Sequence, residues 1–394
     1  MGTTIAGAPA FVTGYRIAFF CGRSQEPWSP LSVRTGIGGS QEALIAMAAA
    51  LQRLGHNVRV YNSCASAAGE YDGVVYEDYR AFDRKPSADL VVVWRWPWLA
   101  RSLPAGVPAW LWLSEAIDPG SVAAAAHCFR KIVVLSRFHR QHYRALPDEK
   151  FFRSRNGIHP EHFDEPVERQ PYKVVYASSY DRGLLPLLEA WPRVKAAVPE
   201  AHLTVFYGFE AARARSFELI RGQWKTWRKL NPVAYWRYRR SIEAALRRAN
   251  AEHLGRIGHL DVARQLLSAG IWAYPTASTE TSCITAMKAQ AAGAVPVVIP
   301  SGAVGETVQF GAKTSTSAND YPGRRLPPRV YDEWEALLIS LLQDSAKLDP
   351  LRARMAAAAR REFAWETVAH EWSAEFARTL TGEAAAEEAT DIRV

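Results

Sequence analysis

The chain alternates between short, dense apolar runs and longer stretches with helical spacing. Arg16–Cys21 is the first apolar run and reads as a strand. A loop rich in Pro, Ser and Gly follows. Gly38–Gly39–Ser40 then precedes the Ala- and Leu-rich run 41–54, which reads as a helix stopped by Gly55. Val58–Tyr61, Leu90–Trp94, Ala109–Leu113 and Lys131–Leu135 are further apolar runs. Runs apolar at every position, rather than alternating, are typical of parallel strands buried on both faces. Strands alternating with helices predict a doubly wound sheet.

The pattern breaks near residues 164–172, at Asp164–Glu165–Pro166 and Gln170–Pro171, and then restarts. Lys173–Ala177, Leu203–Phe206, Ile271–Tyr274 and Val295–Ile299 read as strands of a second α/β unit. Leu184–Val198 and Ser282–Ala292 read as helices between them, and 346–380 holds the last clear helices, with Trp365 and Trp372. The predicted organisation is one Rossmann-like unit over 1–168, a second over 169–360, and a C-terminal segment 361–394 with a frayed acidic tail.

Composition narrows the function classes. The 394 residues are 48% hydrophobic and 22% charged, which excludes a disordered or collagen-like chain. No apolar run reaches the length of a membrane span, and Met1–Gly14 lacks the pattern of a signal peptide. The four cysteines are scattered without a C-x-x-C pair, so neither a zinc site nor a disulfide framework is expected, and the cytoplasm is the expected location. The net charge of +8 sits almost wholly in 211–250, where eleven Lys/Arg face two Glu. That segment also holds Trp224, Trp227, Tyr235, Trp236 and Tyr238, with Tyr235, Tyr238, Ile242 and Leu246 at helical spacing. Three readings compete for it. It lies on an anionic membrane surface, making the protein peripheral at the inner membrane face; it binds an acidic acceptor polymer or nucleic acid; or it is an ordinary helix pair with solvated arginines.

A nicotinamide enzyme is disfavoured. Its glycine loop must follow the first strand directly, whereas Cys21 and Gly36 are fifteen positions apart, and the second strand ends in Tyr61–Asn62 without a carboxylate. The glycine loop retains two readings, a phosphate-attracting helix start or a packing device.

The densest chemistry lies in Ile271–Thr276 followed by Glu280–Val298: strand, loop with a carboxylate, helix, glycine stop, strand. This segment resembles the donor-sugar segment of the family 4 retaining glycosyltransferases. Other pieces agree in order: Gly38–Gly39–Ser40, Val134–Leu135–Ser136, Arg155–Asn156–Gly157–Ile158, Ser178–Leu184, Arg256–Ile257–Gly258–His259, Gly305–Glu306–Thr307–Val308 and Phe363–Ala364–Trp365–Glu366. The resemblance spans about residues 15–380. It implies the GT-B fold, two Rossmann-like domains facing a cleft, with the final helix crossing back to the first domain. It also implies transfer of a sugar from a nucleotide-diphosphate sugar to a glycan, lipid-linked or small-molecule acceptor, with anomeric configuration retained and no cofactor.

The resemblance assigns Glu280 and Arg182 as the catalytic residues. Glu280 accepts hydrogen bonds from sugar hydroxyls and Arg182 holds the diphosphate. Thr281, Ser282, Cys283 and Ile284 would bind the diphosphate from the helix start, joined by Gly38, Gly39, Ser40, Ser178 and Ser179. The residue types suit the chemistry. A guanidinium is a planar fork for phosphate, and the amides of a helix N-terminus favour an anion. Fixed donors would then stabilise the leaving group without a metal, in keeping with the lack of any Asp-x-Asp. Helix capping by Glu280 and a solvated surface role for Arg182 are the alternatives.

Three positions depart from the family. The second glutamate, which contacts the donor ribose, is Lys288 here, and a lysine only donates. One expectation is that Lys288 turns toward a phosphate or an acidic sugar. Ser178–Ser179 stands where an arginine is common, and Trp112–Leu113–Ser114–Glu115 stands where a histidine is common. Glu115 and Asp118 are weaker candidates near the same place. Trp94, Trp96, Trp98, Trp110 and Trp112 read either as acceptor-stacking rings or as core. A catalytically silent scaffold is the alternative function, and no nucleic-acid partner is expected.

Overall fold

The computed structural model describes residues 14–24, 26–82, 87–208 and 232–381. These form two α/β domains, each built on its own twisted sheet. The N-terminal sheet has eight strands: β1 (Arg16–Phe20), β2 (Asn57–Asn62), β3 (Gly69–Tyr71), β4 (Val74–Asp78), β5 (Leu90–Trp94), β6 (Ala109–Trp112), β7 (Lys131–Val134) and β8 (Phe151–Arg153). Their spatial order is β3-β4-β2-β1-β5-β6-β7-β8, parallel except for the β3–β4 hairpin. The C-terminal sheet has six parallel strands: β9 (Gln170–Ala177), β10 (His202–Phe206), β11 (Glu252–Gly255), β12 (Ala269–Tyr274), β13 (Val295–Val298) and β14 (Ala312–Lys313). Their order is β11-β10-β9-β12-β13-β14.

The apolar runs occupy the middles of both sheets. Every residue of β5 and of β12 is buried, as expected for strands covered on both faces. The sequence reading misses β3, β4, β8, β11 and β14, and it places the Gln170–Pro171 break inside what is the start of β9. Pro171 is accommodated at a strand's first residues, where one ladder donor is dispensable.

The last helix, Trp365–Thr381, packs into the N-terminal domain. Trp365, Val368, Ala369, Trp372 and Phe376 belong to the same cluster as Trp94, Trp110 and Trp112. Trp372 Nε1 donates to Ser154 Oγ at 2.7 Å, and Arg155 grips Glu371 with two bonds of 2.7 and 2.8 Å. The entry to this helix is pinned to the interdomain linker, where Ile158 N donates to Phe363 O at 2.7 Å and Trp365 N donates to Ile158 O at 3.0 Å. The chain thus crosses between the domains twice, at adjacent points.

Residues 209–231, the larger part of the basic aromatic segment, lie outside the described residues. Its remainder is the helix Pro232–Arg248. Ile242, Ala245 and Leu246 enter the C-terminal core, while Tyr238 donates its hydroxyl to Tyr180 O at 2.5 Å. Arg240 stacks over the exposed Trp236 ring, 3.8 Å from its centroid. No helix among the described residues is long and apolar enough to cross a membrane.

Candidate functional site

Both sheets point the carboxyl ends of their strands at the junction between the domains, and the chemistry gathers there. β12 ends at Tyr274, and the chain then runs through Pro275 and Thr276 to Glu280. Glu280 is held by backbone. Its carbonyl accepts from Ala303 N at 2.7 Å, and it forms an isolated parallel bridge with Gly302. Gly302 has φ +58° and lies against the Glu280 main chain, so a side chain there would collide with it. On the neighbouring strand, β9 exits into Ser178–Gly183. Gly183 has φ +99°, and a Cβ there would lie 2.5 Å from Pro275 O. That close approach brings the turn carrying Arg182 against the exit of β12.

The consequence is an ion pair between residues 98 positions apart. Arg182 Nη1 donates to Glu280 Oε1 at 2.6 Å. The Tyr274 hydroxyl donates to the same oxygen at 2.6 Å, and Ser178 Oγ lies 3.3 Å from the Tyr274 hydroxyl. Burial works against the Arg182 charge, but Glu280 beside it more than compensates and holds the guanidinium above its ordinary value. Burial, reinforced by Glu280, pushes the Tyr274 phenol well up, so it stays a neutral donor. The Arg182 side chain is 30% exposed, whereas Glu280 is nearly buried, so the guanidinium is the part of the pair that meets solvent.

Ser179 is turned away from this pair. Its hydroxyl donates to Asp181, and its carbonyl accepts from Arg182 N and from the Tyr176 hydroxyl, so it builds the turn. Thr281 joins the domains. Its hydroxyl donates to Ser114 O at 3.0 Å, and its carbonyl accepts from Ser136 Oγ at 2.9 Å. Cys283 is buried, its thiol pushed up by burial and then by Glu280, which makes it an inert part of the core. The Ser282 hydroxyl is buried without a hydrogen-bond partner among the described residues. It sits at the start of helix Ile284–Ala292, where the first amides have no intrahelical acceptor.

Gly38 caps helix Gly39–Arg53, and a Cβ on Gly39 would lie 3.4 Å from Ile284 Cδ1. Two helix N-termini, one from each domain, therefore meet at the junction. Their dipoles add at this point and favour an anion. Ser40 Oγ accepts from Arg95 Nη2 at 2.5 Å, and that nitrogen also lies 3.0 Å from Glu115 Oε1. Arg95 is strained, with φ +71°, and its guanidinium packs over the Trp94 ring. The sequence reading assigns Arg95 no role. A charge between two aromatic residues at a strand's carboxyl end was the available signal.

Lys288 does not face the open cleft. Its ammonium donates to Glu42 Oε1 at 2.5 Å, and His259 Nδ1 lies 2.6 Å from the same oxygen. All three side chains are buried. Desolvation opposes the Glu42 charge, but His259 and Lys288 together hold its carboxyl far below the ordinary range. Glu42 comes from the N-terminal domain, so the cluster spans the junction. Neither Glu42 nor His259 is assigned a role in the sequence reading. A lone acid on the otherwise apolar face of helix Gly39–Arg53 was the signal for Glu42.

The weaker candidates have structural partners. Asp118 caps helix Pro119–Ala125 through Ser121 N at 2.8 Å, and Glu115 pairs with Arg95. Glu306 accepts from Arg137 N at 3.0 Å and Phe138 N at 2.7 Å, which adds another link between the domains. Trp94, Trp110 and Trp112 are core residues, whereas Trp98 is 48% exposed and stacks on Trp96. Among the described residues, one group of side chains has metal-ligand spacing, His159, Glu161 and His162. It lies on the interdomain linker rather than beside Glu280.

Known structures share this architecture end to end. Sucrose-phosphate synthase from Thermosynechococcus elongatus matches with a TM-score of 0.68 and 14% identity, covering 93% of this chain and 100% of that one. Anabaena HepE in complex with UDP-glucose gives 0.64 at 13% identity, covering 93% and 100%. AviGT4, a glycosyltransferase involved in avilamycin A biosynthesis, gives 0.61 at 17% identity, covering 93% and 98%. The chain has the GT-B fold. No family model matches it, and no curated protein matches it in sequence. At these identities the likeness fixes the fold, and the chemistry rests on the site itself.

Proposed function

We propose that this chain is a retaining glycosyltransferase that moves a sugar from a nucleotide-diphosphate sugar to a glycan, lipid-linked or small-molecule acceptor. The observation that carries the reading is the Arg182–Glu280 pair at the GT-B cleft, set beside two converging helix N-termini. In this scheme the diphosphate lies at the start of helix Ile284–Ala292, held by its amides, the Ser282 hydroxyl and Arg182. Arg182 then shifts its fork from Glu280 to the phosphates, which frees the Glu280 carboxyl to accept from the sugar hydroxyls. Tyr274 keeps Glu280 oriented during the exchange.

The acceptor hydroxyl attacks the anomeric carbon from the face that the diphosphate leaves. One C–O bond forms, the C–O bond to the diphosphate breaks, and a phosphate oxygen takes the acceptor proton. No protein base is needed at Ser114. Fixed donors bear the leaving-group charge, so the reaction runs without a metal ion. Closure of the junction excludes water and favours transfer over hydrolysis.

The test is a thermal-shift panel of nucleotide sugars, since a ligand that binds only the folded state raises its melting temperature. A selective rise with one nucleotide sugar, lost in Glu280→Ala, supports the reading. The product's anomeric configuration, read by NMR, then decides retention. A folded protein that responds to none of them favours a silent scaffold.

A further inference from the structure

The carboxyl ends of β1 and β5 and the turn after β4 enclose a cavity of about 450 Å³. One side is aromatic. The Trp96 and Trp98 rings stack at 4.4 Å with 25° between their planes, and the Phe20 and Phe82 rings stack at 4.0 Å. The other side is cationic, with Arg23, Arg80 and Arg101 on the lining and no Asp or Glu among the lining residues. Asp78 lies 3.9 Å from Arg80, but no acid pairs with Arg23 or Arg101 among the described residues.

We infer that this cavity takes an acceptor whose ring carries an acidic group, a carboxylate or a phosphate. The inference rests on the transferase reading and deepens it by naming the acceptor's chemistry. Trp98 is exposed and stacks on the half-buried Trp96, so the pair offers a flat face to a sugar or aryl ring. Three guanidinium groups with no acid in the lining leave a positive field, and arginine forks match carboxylate and phosphate geometry. The cavity also connects to the catalytic pair through bonded residues. Trp96 packs on Arg95, Arg95 Nε bonds Ser114 Oγ at 3.4 Å, and Ser114 O receives the Thr281 hydroxyl, next to Glu280. An acceptor ring on Trp98 with its acid on the arginines would thus be oriented relative to the donor sugar.

The test is isothermal titration without donor, using two matched pairs of probes. These are 4-nitrophenyl β-glucuronide against 4-nitrophenyl β-glucoside, and glucose 6-phosphate against glucose. At least one acidic probe is expected to bind about tenfold more tightly than its neutral partner, as a charge-assisted bidentate contact allows. The preferred pair tells whether the acid is a carboxylate or a phosphate. The Arg23→Ala/Arg101→Ala double variant should erase the advantage, and Trp98→Ala should weaken acidic and neutral probes alike. These side chains are exposed, so the variants keep the fold. Equal binding of acidic and neutral probes, or an advantage that survives the arginine double variant, overturns the inference. The donor reading fails separately. Nucleotide sugars that bind nowhere would remove the transferase while an arginine-dependent acid preference still stands.

Discussion

Two ion clusters flank the helix Ile284–Ala292, and they have opposite relations to solvent. Arg182 and Glu280 meet at the open cleft, with the guanidinium partly exposed and a neutral tyrosine behind the carboxyl. Glu42, His259 and Lys288 meet in the dark, each side chain no more than 9% exposed. A partly exposed charge pair can trade partners, because an anion arriving from solvent can replace the carboxyl that a guanidinium gives up. A buried pair has no such replacement, so its members hold each other and the domains that carry them. Lys288, where the family that the sequence resembles carries its second glutamate, belongs here to the second kind of cluster.

The comparison is sharpest if the buried cluster is cut. Glu42→Ala leaves Lys288 and His259 facing one another without a counter-charge, which should cost about 3–5 kcal/mol of stability in urea unfolding. The Glu42→Gln/Lys288→Met double variant should lose much less than the sum of its single changes, since both charges go together. Additive losses would mean that the pair does not hold the junction. Acid should act on the same cluster. The folded-state value of Glu42 is depressed, so its contribution is complete above about pH 4.5 and is lost as pH falls below that.

A second buried group sets a milder pH window. His139 is fully buried, accepts Leu135 N on Nδ1 at 3.2 Å, and sends Nε2 to Glu115 O at 3.1 Å. Burial lowers its value from 6.5 to about 4. Its neutral form is the folded one, so up to about 3 kcal/mol present above pH 6.5 is lost as pH falls toward 4. Denaturation of His139→Gln at pH 7 and pH 5 should show a flatter dependence than the parent.

The cleft pair predicts the reverse pattern, a loss of activity without a loss of fold. Glu280→Ala should lower turnover about a hundredfold or more, about 2.7 kcal/mol of transition-state stabilisation, and should cost less stability than Glu42→Ala, because the Arg182 guanidinium it leaves is partly exposed. Trp98→Ala should be smallest in stability, within about 0.5 kcal/mol, because the ring is exposed.

The sheet centres were legible because buried parallel strands are apolar at every position, as in Leu90–Trp94. The edges were not. The two-residue β14 and the exposed β3 carry no period long enough to read, and β11 has no buried residue. Glu280 and Arg182 were legible as candidates because each lies in a local motif, and the structure bonds them to one another. Glu42, His259 and Lys288 could not be joined in the sequence, because the partner of Lys288 is 246 positions away in the other domain. Arg95 escaped for the same reason, since its role depends on Ser40 and Ser114 meeting it from two other elements.

The most direct measurement is titration of the folded protein and of Glu280→Ala with a panel of nucleotide sugars and their parent nucleotide diphosphates. The account predicts one preferred nucleotide sugar, and a variant that keeps nucleotide diphosphate binding while losing the added affinity from the sugar. Equal binding of the sugar nucleotide by both proteins, or no binding by either while the fold is intact, would contradict it.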